Sequence, residues 1–186
     1  MEKKELRDIV RANKSKVSEL EKQREARLVF STIESLRAYK YSNNILLYYS
    51  LPDELPTHEA IERWSKSKKI YLPRVNGDDL EILPYDGNLN DGSYNIKEPA
   101  GNDVADANDI DLIIVPAIAV DKHCDRLGRG KGFYDRLLQK MRAYKIGVAL
   151  DCQFFDEIPI EENDVRLDGI ITASHISFRK SFNIAK

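Results

Sequence analysis

The segment DLIIVPAIAV, Asp111–Val120, is apolar from Leu112 onward. A run of that length fits a central strand covered on both faces, the habit of strands in a parallel sheet. Pro116 must end the regular ladder or sit at a bulge, because it has no N–H to donate. Downstream, Phe133–Tyr144 predicts a helix, Ile146–Leu150 a strand and Gly169–Thr172 a last strand. Upstream, Asn44–Tyr49 (NILLYY) is a second continuous apolar run of strand length. Thr57 stands where a cap would open a helix burying Ala60, Ile61 and Trp64, and Lys69–Leu72 and Leu80–Leu83 are short candidate strands. Strands alternating with helices give an α/β class: a single-domain, mainly parallel sheet flanked by helices.

From Glu2 to about Tyr39 there is neither Gly nor Pro, and Leu6, Ile9, Val10, Val17 and Leu20 recur near helical spacing. Two helices are expected there, broken near Ser15–Ser18, where Ser18-x-x-Glu21 fits a capping box. The 186 residues, 42% of them hydrophobic, suffice for one substantial core, so residues 1–186 are read as one domain. Lys and Arg number 29 against 31 Asp and Glu, a net charge of −2 that removes whole-chain basicity as an argument for nucleic-acid binding. No run approaches the roughly 18 apolar residues needed to span a bilayer, and Met1-Glu2-Lys3-Lys4 lacks the apolar stretch of a signal peptide. A cytoplasmic protein with no membrane partner is the expectation. Cys124 and Cys152 form no CxxC, and His58, His123 and His175 stand far apart, which argues against a zinc site or a disulfide framework. All three histidines are read as surface residues. His123-Cys124 as a base and nucleophile is disfavoured, since neighbours in sequence rarely face each other.

Charge is unevenly spread. Residues 76–111 carry ten acids against the single Lys97, and the part from about Tyr85 to Asn108 reads as an acidic, Asn- and Gly-rich loop. Residues 121–145 reverse the sign, with eight cations against three acids. Within them, between the strongest strand and the next helix, lies RLGRGKGFYD, Arg126–Asp135. Ligands of open α/β sheets bind beyond the carboxyl ends of strands, where such a segment would sit. Three glycines at alternate positions let backbone N–H groups approach an anion, and the following helix N-terminus adds favourable partial charge. Lys131 is followed by Gly132, not Ser or Thr, so this is not a Walker loop, and GxGxG is not the dinucleotide fingerprint. Loop chemistry alone leaves open a phosphate-binding, glycine-rich strand-to-helix loop and a tight structural turn.

The stretch from Val115-Pro116 through Asp135 resembles the signature of the 5-formyltetrahydrofolate cyclo-ligases, also called methenyltetrahydrofolate synthetases. Lys3-Lys4-Glu5-Leu6-Arg7, Glu54-Leu55-Pro56-Thr57, Leu72-Pro73-Arg74-Val75, Glu98-Pro99, Gln153, Ile158-Pro159 and Asn163-Asp164 extend the likeness over nearly the whole chain. Two departures stand out: Cys124-Asp125 where the family usually has Gly before RLG, and Val120 where it often has Phe. The resemblance implies ATP-dependent closure of 5-formyltetrahydrofolate to 5,10-methenyltetrahydrofolate, with release of ADP and phosphate. The partners implied are ATP as co-substrate and a folate that can be polyglutamylated, acting on a monomer.

Site roles follow residue by residue from the same resemblance. Lys3 and Arg7, four positions apart on one helix face, would contact ATP phosphates. Arg126, Leu127, Gly128, Arg129, Gly130, Lys131, Gly132, Phe133 and Tyr134 would wrap the triphosphate. Arg129, Gly130, Lys131, Gly132 and Phe133 would also border the folate, together with Tyr49 and Glu54. Arg129 and Lys131 would be the catalytic cations, and Asp135 and Asp164 the ligands of Mg2+. Arg74, Glu98 and Asp121 recur in the pattern without an assigned role; hydrogen bonds bracing the loop are their plain reading. The alternatives are a non-catalytic nucleotide- or folate-binding protein on the same scaffold, and a sugar-phosphate isomerase or acyl-transfer enzyme that needs no ATP.

Overall fold

The computed structural model describes residues 1–180, so the last six residues of the expected domain lie outside it. In chain order it forms α1 (Lys3–Lys14), α2 (Glu19–Ser35), α3 (Arg37–Tyr41), β1 (Asn44–Leu46), α4 (His58–Trp64), β2 (Lys69–Asn76) and β3 (Asp79–Pro84). There follow β4 (Leu89–Asp91), β5 (Lys97–Pro99), β6 (Leu112–Pro116), β7 (Ala119–Asp121), β8 (Arg126–Leu127) and α5 (Phe133–Lys140). The chain ends with β9 (Tyr144–Val148), β10 (Phe154–Phe155), β11 (Gly169–Ile171) and β12 (Ile176–Phe178).

Seven strands make the main sheet in the order β12-β11-β9-β6-β1-β2-β3. The five inner strands run parallel, and each edge strand pairs antiparallel with its neighbour. β6 lies in the middle, as its apolar run requires, and its residues alternate between two buried layers. Leu112 and Ile114 pack with α2 and α4 on one face, Ile113 and Val115 with α5 on the other. Trp64, Ala60 and Ile61 are buried in the first layer as expected. Pro116 is the last residue of β6, which resolves the choice in favour of an ended ladder. From β1 the chain winds outward to β2, and from β6 it winds the other way to β9, so the strand order reverses between β1 and β6. A crevice opens beyond their carboxyl ends.

Several boundaries differ from the sequence reading. β1 stops at Leu46, although Leu47 N–H still donates to Tyr71 O at 3.0 Å. α5 stops at Lys140, because Tyr144 already pairs with Leu112 at the start of β9. The acidic loop contains the β4–β5 hairpin. Ser18 caps α2 by accepting from Glu21 N–H at 3.1 Å, whereas the Glu21 side chain turns to Arg24. Thr57 sits at the start of α4 without capping it; its hydroxyl donates to Tyr48 O at 2.7 Å and accepts from Ser50 N–H at 3.0 Å.

The largest correction concerns the glycine loop. It does not leave the central strand directly, because β7 and β8 intervene and join β10 in a separate three-stranded sheet. Against that small sheet α1 buries Leu6 and Val10, beside Ile118, Ala119, Leu127 and Ile158. The amino-terminal helix is thereby fixed next to the glycine loop.

Candidate functional site

A cleft of about 1090 Å³ lies beyond the carboxyl ends of β1 and β6. Lys3, Arg7, Tyr49, Glu54, every residue from Arg126 to Asp135, and Asp164 all line it. Four stretches far apart in sequence therefore meet in one place. The loop that dominates the cleft runs from β8 into α5. Gly130 (φ +99°) and Gly132 (φ +71°) both occupy the left-handed region, where a side chain would strain the backbone. A Cβ on Gly132 would also approach Arg136 Nη1 to 2.6 Å.

The candidate cations are mostly held by protein groups. Lys3 Nζ donates to Asp164 Oδ2 at 2.6 Å and pairs with Glu161 at 3.2 Å. Burial lowers its pKa, but the bonds to these two carboxylates outweigh that and hold it above the ordinary value. Arg7 Nε donates to Gly128 O at 3.0 Å, tying α1 to the loop. Arg126 is buried; its Nη2 donates to Asp135 Oδ1 at 2.9 Å, and its Nε has no partner among the described residues. A buried donor left unpaired is costly, and it marks where an anion or water is wanted. Arg129 is clasped by two carboxylates: Nη2 lies 2.7 Å from Asp53 Oδ1 and 3.0 Å from Glu54 Oε1, and Nε lies 3.3 Å from the same Glu54 oxygen. Lys131 is exposed, with its Nζ 5.8 Å from the ring centroid of Tyr94.

Glu54 uses its other oxygen to accept from Leu51 N–H at 2.9 Å, so its carboxylate is fixed from two sides. Tyr49 is half-buried and stacks on His58 with centroids 4.0 Å apart. Tyr134 lies beneath Arg126 at 5.8 Å and packs on both apolar layers, and burial pushes its phenol well up. Phe133 meets Tyr94 edge-on at 6.1 Å.

Asp135 and Asp164 face the same cleft, each already in use on one oxygen. Asp135 Oδ1 accepts from Arg126 and from Val165 N–H at 3.2 Å, and Asp164 Oδ2 accepts from Lys3 and from Glu161 N–H at 2.7 Å. Among the described residues no group of three or more His, Cys, Asp or Glu side chains converges on a metal position. A pair of carboxylates, each with its second oxygen remaining, still fits a hard cation that takes most of its ligands from water and substrate phosphates.

The residues left without a role brace the surroundings. Asp121 is buried; Oδ1 accepts from His123 and Asp125 N–H at 2.9 and 3.1 Å, and Oδ2 from Ile158 N–H at 3.1 Å. Glu98 accepts from Val75 N–H at 3.0 Å, and Arg74 bonds Glu81 and Gly101 O, which ties the β4–β5 hairpin to β2. Cys124, standing where a glycine is usual, adopts φ +67°, and Asp125 beside it takes a bidentate bond from Arg166, both contacts at 2.7 Å. The Cys124 thiol is buried and pushed up to about 11, which removes it as a nucleophile. All three histidines are exposed, although His58 and His175 stack on Tyr49 and Phe154. Sequence reasoning missed Asp53 and Tyr94. Asp53 had only its adjacency to Glu54 as a signal, and Tyr94 is delivered by a hairpin that read as loop.

The profile of the 5-formyltetrahydrofolate cyclo-ligase family matches residues 1–173. The chain belongs to this family. A curated family member from Escherichia coli K12, 5-formyltetrahydrofolate cyclo-ligase, is 34% identical over 146 residues, covering 73% of this chain and 80% of that protein. The one from Haemophilus influenzae is 30% identical over 179 residues, covering 90% and 95%. Among solved family structures, the 5,10-methenyltetrahydrofolate synthetase of Aquifex aeolicus superposes with a TM-score of 0.90 at 31% identity, covering all of this chain and 97% of its own. The Mycoplasma pneumoniae synthetase gives 0.75 at 25% identity, covering 94% and 100%. The mainly parallel α/β sheet is thus the family fold. No helix among the described residues is long and apolar enough to cross a membrane.

Proposed function

We propose that the chain is an ATP-dependent ligase that closes 5-formyltetrahydrofolate to 5,10-methenyltetrahydrofolate, releasing ADP and phosphate. The observation that carries this reading is convergence: Lys3, Arg7, Arg126, Arg129 and Lys131 line the same cleft as Glu54 and Tyr49, in a chain that the cyclo-ligase profile matches over residues 1–173. Five cations suit a triphosphate, and a fixed carboxylate suits the amide and amine donors of a pterin.

A formamide oxygen is a poor leaving group. Transfer of the γ-phosphoryl to that oxygen converts it into a phosphate ester; N10 then attacks the formyl carbon and gives up its proton, and phosphate departs with the C–O electron pair. Such chemistry asks the protein for positioning and charge neutralisation. Arg129 and Lys131 neutralise the charge on the moving phosphoryl. Residues 126–134 wrap the triphosphate, with the unpaired Nε of Arg126 as a donor, and Lys3 and Arg7 reach the phosphates from α1. Tyr49, Glu54 and residues 129–133 border the folate, polyglutamylated or not. Asp135 and Asp164 would hold Mg2+, which would supply positive charge to offset that of the phosphates. The working unit in this proposal is a cytoplasmic monomer.

The test follows the absorbance of the methenyl product from purified protein and 5-formyltetrahydrofolate, with and without magnesium and ATP. An increase that needs both is expected. No increase while ATP still binds would sink the ligase reading and favour a binding protein.

A further inference from the structure

Asp53 stands behind the cleft, fixed from two directions. Lys14, a buried lysine at the end of α1, donates to Asp53 O at 2.9 Å and to Asp53 Oδ2 at 2.6 Å. The other carboxylate oxygen, Oδ1, faces Arg129 Nη2 at 2.7 Å. Each oxygen of Asp53 thus serves one cation. A lysine taken out of water needs its partners, and Asp53 supplies two of them. Burial pushes the Asp53 carboxyl up, but the bonds from Lys14 and Arg129 outweigh it and hold the group below its ordinary value, so it is ionised at neutral pH.

Glu54 cannot serve Arg129 and a ligand equally well. Its Oε2 is occupied by Leu51 N–H, so a donor arriving from the cleft competes for Oε1, the oxygen that Arg129 uses. Once that contact is lost, Asp53 is the one remaining side-chain partner of Arg129 among the described residues. We infer that Asp53, anchored by Lys14, is a positioning residue that holds the Arg129 guanidinium at the cleft while the ligand takes Glu54. The inference rests on the function proposed above for the role of Arg129. The Arg129–Asp53 contact itself adds little to stability, because the two side chains are 45% and 48% exposed and ion pairs that open to water contribute little to folding; a loss of stability in an Asp53 variant reads the buried Lys14 contact instead.

The experiment compares wild type, Asp53→Asn, Arg129→Ala and the double variant by kcat, by KM for 5-formyltetrahydrofolate, and by thermal unfolding. Asparagine keeps the shape and one acceptor but cannot serve two cations. A misdirected catalytic group costs turnover more than binding, so Asp53→Asn is expected to lower kcat about tenfold while KM moves less than about twofold. In the Arg129→Ala background the same change should alter kcat by less than about twofold, because residues acting as a unit are not additive. An unchanged kcat, or a loss undiminished in that background, overturns the inference. A second readout needs no turnover: solvent exchange of the Arg129 Nη2–H protons, one of which faces Asp53, should quicken several-fold by NMR in Asp53→Asn. If wild-type protein fails to turn over 5-formyltetrahydrofolate, the ligase reading falls, and this exchange rate alone decides whether Asp53 holds Arg129; an unchanged rate refutes it.

Discussion

Arg129 and Lys131 sit two positions apart on the same loop, yet the fold treats them differently. Arg129 is clasped by Asp53 and Glu54, whereas Lys131 is exposed and stands over the face of Tyr94. Among the described residues no hydrogen bond or ion pair uses the Lys131 ammonium, so Lys131→Ala should leave the unfolding midpoint unchanged. Loss of one preorganised charge at a transition state typically costs about 10²–10³ in kcat, and a fall of that order in steady-state turnover is expected. Glu54→Gln belongs to the other ligand. It removes the charge proposed to meet pterin donors and leaves an acceptor for Leu51 N–H, so Kd for 5-formyltetrahydrofolate should rise about tenfold or more, with ATP affinity changed less. Titration calorimetry with each ligand checks the order, and a larger effect on ATP would refute the pterin assignment. At this scale the sequence carried residue types and spacing: RLGRGKGFYD announced a cation-rich, glycine-rich loop. It could not announce that Arg126 is buried against Asp135, because that pair depends on how β8 and α5 meet.

Among the elements, α5 shows most clearly how backbone geometry sets the site. Its first residue, Phe133, follows Gly132 in the left-handed region, and this turn brings Arg129–Gly132 over the cleft. An alanine at 132 would pay the left-handed penalty of about 1–2 kcal/mol and displace the Arg136 guanidinium. Gly132→Ala should therefore lower the urea midpoint, and loop misplacement should cut kcat by more than the fraction unfolded explains. The elements also show why some boundaries were not legible. Phe133–Tyr144 reads as one helical run, but Tyr144 is claimed by pairing with β6, and α5 closes at Lys140. The strand NILLYY is assigned for only three residues, and Tyr48 and Tyr49 beyond it turn to line the cleft. β4 and β5 lacked an alternating apolar signal, for β4 offers the core only Leu89 and the buried residues of β5 are Glu98 and Pro99.

The molecule as a whole also carries a buried charge that the proposed chemistry does not use. Glu25 on α2 is buried and accepts from Asp151 N–H at 2.7 Å, joining α2 to the 3-10 turn that follows β9. Burial raises its pKa above the ordinary 4.5, with the nearby Asp151 and Glu21 carboxylates adding to the shift. Below pH 4.5 folded and unfolded chains both hold the proton; as pH rises, the unfolded chain releases it first, and stability falls until the raised folded value is passed. Glu25→Gln keeps an acceptor for Asp151 and removes the charge. Its melting temperature should exceed that of wild type at pH 7, and the gain should vanish below pH 4.5; thermal unfolding across that range measures both. The sequence by itself determined the α/β class, the central strand, the glycine loop and the family, because apolar periodicity and a contiguous motif are local properties of a chain. Only the tertiary structure decided that Lys3 meets Asp164 across 161 positions, that Arg129 meets Asp53 across 76, and that the loop leaves a small second sheet instead of β6. Such pairings depend on where the sheet and α1 carry distant segments, and no spacing along the chain encodes that distance.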